Sequence, residues 1–144
     1  MANVVAINIS EAKGEPKNSI DKGYFQINSG LQGDAHAGDW HRQVSLLGME
    51  NINKIKNIGL FDLETGSFAE NLTTEGITLF ELPIGTTLKI GETLMEVTQI
   101  GKECHMGCAI REKTGDCVMP REGIFTKIIR AGWIKPGDEI EIVN

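Results

Sequence analysis

The sequence predicts a mainly β fold, a closed or nearly closed β-barrel with a few short helices packed outside it or plugging an end. Three observations predict it. About seven short segments carry the β-branched, alternating pattern of strands. Turn signals separate them roughly every 8–12 residues, the spacing of all-β barrels. Glycine is frequent, at 17 residues against four prolines, which relieves tight bends in a strongly curved sheet.

In chain order, residues 3–9 alternate and are β-branched, a first strand. Residues 11–18 carry turn chemistry and predict an exposed loop. Residues 20–27 predict a loosely paired strand. Residues 30–38 hold three glycines, so their backbone is expected to loop past something at close range. Residues 43–47 form a short strand feeding a helix in which Met49, Ile52, Ile55 and Ile58 recur every third residue, stopped by Gly59. A second short helix is expected within 62–71. Residues 77–80, 86–90 and 93–100 read as strands separated by Pro-Ile-Gly and Gly-Glu turns, followed by strands at 124–130 and 139–143. Before the last strand, Lys135-Pro136-Gly137-Asp138 is a turn in which proline fixes φ and glycine permits φ > 0.

With 144 residues and neither repeat nor linker, the chain is expected to be one domain, residues 1–144. A domain of this size buries roughly 70% of its unfolded surface, so it needs no disulfide or metal staple. A net charge of -6 argues against general nucleic-acid or membrane-surface binding. No apolar run reaches the ~20 residues that span a bilayer. The N-terminus lacks a basic flank and a long apolar region, so it reads as a strand and not a signal peptide. A cytoplasmic location follows as the default, where an odd count of three cysteines needs no disulfide.

Chemistry concentrates in two segments. All three cysteines, Cys104, Cys108 and Cys117, fall in one short stretch with His105, close to Lys102, Arg111 and Arg121. A free thiol with pKa ~8.5 is mostly protonated at neutral pH, and neighbouring cations favour the reactive thiolate. An isolated cysteine usually serves as a small core hydrophobe; three together beside histidine and cations point to a functional thiol. Structural zinc is the rival, although the spacing matches neither paired Cys-x2-Cys nor finger patterns. The other segment holds His36, His41 and Arg42 among glycines, a set suited to a phosphate or other anion. Its alternative is a surface loop with locally bonded imidazoles, and Asp34 and Asp39 are candidates to orient the rings. Asn71 and Thr73 are candidates for directed bonds to a heterocycle or, equally, for capping a helix and opening a strand. Arg121 either binds an anion or pairs with a carboxylate. No phosphate-binding P-loop, dinucleotide fingerprint or serine elbow occurs.

These segments, in this order, resemble the MOSC family, named for the C-terminal domain of molybdenum cofactor sulfurase. The match is carried by Gly33-Asp34-Ala35-His36-Ala37-Gly38 with Trp40-His41-Arg42-Gln43-Val44-Ser45-Leu46-Leu47. It continues in Phe68-Ala69-Glu70-Asn71-Leu72-Thr73 and Gly76-Ile77, then in the cysteine stretch and Gly123-Ile124-Phe125-Thr126-Lys127-Ile128-Ile129, with Gly132, Gly137 and Asp138. The resemblance implies a β-barrel that binds the molybdenum cofactor (molybdopterin) and passes sulfur to it, or to a molybdoenzyme acceptor, through a cysteine persulfide. The chain is similar to the short, stand-alone bacterial form, without the pyridoxal-phosphate desulfurase of fused members. Sulfur is then expected from a separate cysteine desulfurase, and no pyridoxal phosphate in this chain.

In this reading Cys108, with Cys104 as competitor, is the catalytic thiol, and Cys108 the metal ligand. Relatives show a Pro-Cys motif where this chain has Gly107-Cys108. His36, His41, Arg42, Asn71 and Arg121 are expected to bind the cofactor, the cations at its phosphate and Asn71 at the pterin edge. Two other functions stay open. One is an oxidoreductase that keeps the cofactor and reduces N-hydroxylated compounds; the other is a non-catalytic barrel with a structural zinc or a protein partner.

Overall fold

Eleven strands make up nearly all the regular structure of the computed structural model, which describes residues 2–11, 17–50, 52–53, 70–101 and 123–143. They are β1 (Asn3–Ile9), β2 (Asn18–Ile20), β3 (Gly23–Gln26), β4 (Gly30–Leu31), β5 (Val44–Gly48), β6 (Leu72–Glu75), β7 (Thr87–Ile90), β8 (Thr93–Ile100), β9 (Ile124–Arg130), β10 (Gly132–Ile134) and β11 (Ile140–Ile142). Eight of them form one sheet in the order β11-β7-β8-β9-β5-β6-β1-β2, and β10-β3-β4 form a second. Every described pairing is antiparallel except β5 with β6.

The parallel pair explains a burial pattern. All five residues of β5 are buried, as expected of a central strand covered on both faces. By contrast β8 alternates, with Thr93, Met95 and Val97 buried and Leu94 and Glu96 partly exposed, the signature of one wetted face. In β1 the core residues Val4 and Ile7 are three apart, an odd spacing that would put them on opposite faces. A bulge between Val4 and Ala6 absorbs the extra residue and turns both inward. They join Phe25, Leu31, Leu46, Leu72, Leu88, Ile90, Val97 and Ile134 in one apolar core.

The N-terminal half of β1 meets the far end of the large sheet. Val4 N donates to the Asp138 carbonyl at 2.8 Å, Gly137 N to the Val4 carbonyl at 2.8 Å and Ile140 N to the Ala2 carbonyl at 3.0 Å, with an Asn3–Glu139 bridge between them. The sheet therefore curls until its β11 end lies beside β1, while β2 covers only the C-terminal half of β1.

Several sequence expectations shift. The strand expected at 20–27 divides into β2 and β3. The strand expected at 77–80 lies earlier, as β6, and Leu79–Glu81 instead makes a single 3-10 turn. Thr73 and Thr74 drive this: β-branched and fully buried, they fit between β1 and β5. The short β4 and β10 went unpredicted. Residues 49, 50, 52 and 53 are helical, and Ile52 is fully buried; the rest of the helix expected there, and the one expected within 62–71 up to residue 69, lie outside the described residues.

Candidate anion site beside the root of the cysteine segment

The glycine-rich segment after β4 is anchored by a close approach. Gly30 has φ +111°, and a side chain there would strike the Gln43 carbonyl. Only glycine lets β4 lie against that backbone. From this anchor the chain carries Asp34, His36, Trp40, His41 and Arg42 past the ends of β1 and β8.

Around Asp34 a charged pair is sealed from solvent. Lys17 Nζ lies 2.7 Å from Asp34 Oδ1, with both side chains 0% exposed. The same ammonium reaches Ser10 Oγ at 3.1 Å and His36 Nδ1 at 3.1 Å. Asp34 also accepts from Ser10 N and His36 N, both at 3.1 Å. Burial pushes the Asp34 carboxyl up; hydrogen bonds from Lys17, Asn71 and the Ser10 amide, with the Lys17 charge, outweigh that and hold it below the ordinary carboxylate range. Asp34 thus holds the His36 backbone amide, with the ring Nδ1 3.8 Å from its Oδ2. Residues 11–18 were expected to be an exposed loop, but Lys17 turns inward to reach the carboxylate.

A second cluster gathers on Gln99. His41 Nε2 lies 2.9 Å and Arg42 Nε 3.0 Å from Gln99 Oε1, while Gln99 Nε2 donates to the Gly101 carbonyl at 2.7 Å. A carbonyl only accepts, so this last bond fixes the amide orientation. Oε1 is then the acceptor, and His41 carries its proton on Nε2. The Arg42 guanidinium also stacks 5.2 Å over the Phe125 ring. Among the described residues no carboxylate pairs with Arg42. A bulge between Val97 and Gln99 places Gln99, and Thr98 Oγ1 bonds both the His41 and Phe125 carbonyls. Trp40 links the clusters: its Nε1 donates to the His36 carbonyl at 2.8 Å, and its ring meets that of His41 edge-on at 5.9 Å.

The cysteine segment starts and ends here. Ile100 pairs with Ile124, and Gly101 N donates to the Gly123 carbonyl at 2.7 Å. Gly101 and Gly123, the described residues that flank the segment, meet at this bond, next to Gln99. Cys104, Cys108, Cys117 and Arg121 themselves lie outside the described residues. Among the described residues no group of three His, Cys, Asp or Glu side chains is placed to hold a metal.

Asn71 faces inward. Its Oδ1 accepts from Ser45 N at 3.0 Å and Ser45 Oγ at 3.2 Å, and its Nδ2 donates to the Asn8 carbonyl at 3.3 Å. Fully buried, it ties β1 to β5. Beside it Asn8 bonds Thr73 Oγ1 and the Glu70 carbonyl, and Thr73 Oγ1 donates to the buried Glu70 carboxylate at 2.7 Å.

The structure therefore brings His41 and Arg42 together, ties His36 to them through Trp40, and turns Asn71 into the strands. Sequence reasoning missed Lys17 and Gln99. Gln99 carried one usable signal, a polar residue at the end of a strand leading straight into the cysteines; Lys17 carried none.

A model of the MOSC domain matches residues 32–141. The chain belongs to the MOSC domain family. Its fold is similar to that of the YuaD protein from Bacillus subtilis, with a TM-score of 0.78 at 19% identity, covering 97% of this chain and 94% of that one. YiiM from Geobacillus stearothermophilus gives 0.75 at 17% identity, over 100% and 76%, and YiiM from Escherichia coli 0.73 at 19%, over 100% and 70%. No curated protein matches the chain. As a MOSC domain it is mainly β, and no helix among the described residues is long and apolar enough to cross a membrane.

Proposed function

We propose that this MOSC domain binds the molybdenum cofactor and carries sulfur to it, or to a molybdoenzyme holding it, as a persulfide on Cys108 or Cys104. One observation carries the reading: the cysteine segment is rooted at Gly101 and Gly123, beside an arginine with no carboxylate partner among the described residues and a histidine N–H on the same glutamine. The segment that bears the thiols is thus anchored at both ends close to where Arg42 would hold an oxyanion.

The residues suit the phosphate end of such a cofactor. Arg42 supplies a fixed charge and a planar donor face and His41 an N–H, with Arg121 proposed as a further cation for the same anion. The cofactor, when bound, supplies a soft metal centre that takes thiolate or sulfide ligands, and Cys108 is assigned as the protein ligand. Asn71 acts as a structural tie in this reading, since its hydrogen-bonding groups are engaged by β1 and β5. Loading requires a donor persulfide on a separate cysteine desulfurase. The Cys108 thiolate attacks the outer sulfur, the donor S–S bond breaks, the donor leaves as thiolate, and Cys108 retains the sulfur as persulfide with no net redox change. In the same reading residues 1–144 are one cytoplasmic domain, and the curled sheet, supported by the bonds between β1 and residues 137–140, is a nearly closed barrel.

Anaerobic purification tests this, with metal analysis and intact mass before and after thiol labelling. The carrier reading expects a mass gain of one sulfur atom that reductant removes and that Cys108→Ser abolishes. A gain lost only in Cys104→Ser moves the role to that residue. Stably bound pterin and metal without sulfane sulfur indicates the oxidoreductase, and one zinc per chain with no alkylatable thiol indicates the structural site; either outcome overturns the carrier assignment.

A further inference from the structure

The end of β8 remote from Gln99 carries a cavity of about 490 Å³, lined by Lys22, Gly91, Glu92, Trp133, Lys135 and Asp138, a size that suits a small molecule. Glu92 immediately precedes β8 and Gln99 lies near its other end, so roughly 20 Å of strand separates this cavity from His41 and Arg42. We propose that the cavity binds a small zwitterion, a free α-amino acid with an apolar or aromatic side chain. Its carboxylate pairs with Lys22, its ammonium with Glu92, and its side chain packs on Trp133.

The walls are tied together. Trp133 N donates to Glu92 Oε1 at 3.1 Å, and Glu92 N donates to the Trp133 carbonyl at 3.2 Å. The turn before β8 comes this close because positions 91 and 132 are glycine: a Cβ at Gly91 would lie 2.9 Å from the Trp133 carbonyl oxygen, and one at Gly132 2.9 Å from the Glu92 backbone. Lys135 Nζ is engaged by Asp138 Oδ1 at 2.7 Å, and Asp138 Oδ2 accepts from Lys135 N at 2.9 Å. One group of each sign is then left. Lys22 Nζ stands 4.9 Å over the Trp133 ring, and Glu92 spends one carboxylate oxygen on Trp133 N. Among the described residues neither Lys22 nor Glu92 has an ion-pair partner.

Charge selects the ligand class. An ammonium over the indole opposes a ligand cation on that face, and two carboxylates in the lining oppose a doubly charged anion. A molecule with one charge of each sign meets a partner for both, whereas a lone carboxylate or amine meets only one. Trp133 is 45% exposed and set edge-to-face against Tyr24 at 5.3 Å, so it offers the ligand side chain a fixed apolar surface. None of this rests on cofactor binding.

The test titrates the 15N-labelled full chain with L-phenylalanine and follows the Trp133 indole N–H, assigned by its loss in Trp133→Phe. A saturable shift is expected. Affinity should fall about tenfold or more in Lys22→Met and in Glu92→Gln, the second of which keeps an oxygen acceptor for Trp133 N. Hydrocinnamate, which lacks the ammonium, and phenethylamine, which lacks the carboxylate, should each bind about tenfold more weakly than L-phenylalanine. Absence of a saturable shift in the wild type overturns the proposal. So does hydrocinnamate or phenethylamine binding as tightly as the amino acid, or unchanged affinity in either folded variant. Should a variant not fold, the comparison of the three ligands on the wild type decides.

Discussion

Replacing Lys17 with methionine keeps the apolar stem and deletes the ammonium, leaving Asp34 buried without its counter-ion. Both side chains are 0% exposed, so water cannot take over. Removing one partner of a buried pair costs about 3–5 kcal/mol. The cavity contribution is small, because methionine nearly fills the volume of the lysine stem. With a urea dependence of about 1–3 kcal/mol per molar, the unfolding midpoint should fall by about 2 M. Asp34→Asn alone strands the ammonium and should cost a similar amount. The double variant strands neither charge, and its loss should be about 2–3 kcal/mol less than the sum of the single losses. pH gives an independent check. The Asp34 carboxyl is held below its ordinary value of 3.8, so its contribution is fully present above that pH and is lost as pH falls through the lower folded value. In Lys17→Met the sign reverses: burial without a partner raises the carboxyl, and mild acid should stabilise the variant relative to neutral pH. Additive losses in the cycle, a Lys17→Met cost under about 1 kcal/mol, or the absence of that reversal would refute the picture of a sealed pair.

Two further outcomes follow from the same geometry. Gly30→Ala places a side chain against the Gln43 carbonyl at a positive φ; conformational strain and overpacking together should cost about 2–4 kcal/mol in urea unfolding, and a near-neutral result would show that β4 can move off Gln43. Gln99→Glu puts a carboxylate on the Arg42 guanidinium and should cut affinity for inorganic phosphate about tenfold, a change of ~1.4 kcal/mol, measured by calorimetric titration; unchanged affinity would place the anion elsewhere.

Much of the sheet could be read before folding because its long strands obey local rules. β9 was expected at 124–130 and β8 at 93–100, and both fall there; each combines β-branched residues with bounding glycine. Where the reading failed, tertiary pairing decided. β6 forms because Leu72, Thr73 and Thr74 are held between β1 and the parallel β5, a partnership no local window contains. β10, three residues long, is shorter than any pattern can register. In the candidate site, the closeness of histidine and arginine in sequence is matched by the sharing of Gln99 between His41 and Arg42, while the cysteines lie outside the described residues. Lys17 escaped notice because its segment resembles a solvated turn, and only the position of Asp34, 17 residues later, turns it inward.

The bulge in β8 shows how a small backbone irregularity makes the site possible. A regular strand would project Gln99 to the same face as Val97, which is fully buried in the core. With the extra residue between Val97 and Gln99, Thr98 instead pins the carbonyls of His41 and Phe125, and Gln99 reaches His41 and Arg42 on one side and the Gly101 carbonyl on the other. The amide is therefore the joint between the cation pair and the root of the cysteine segment. An apolar residue of equal size at position 99 would leave Arg42 stacked on Phe125 while freeing its Nε and the His41 ring. The charge would remain, but the two donors would no longer be held in a fixed relation to the thiol-bearing segment, and orientation is what a site needs to bring an oxyanion and a sulfur atom together.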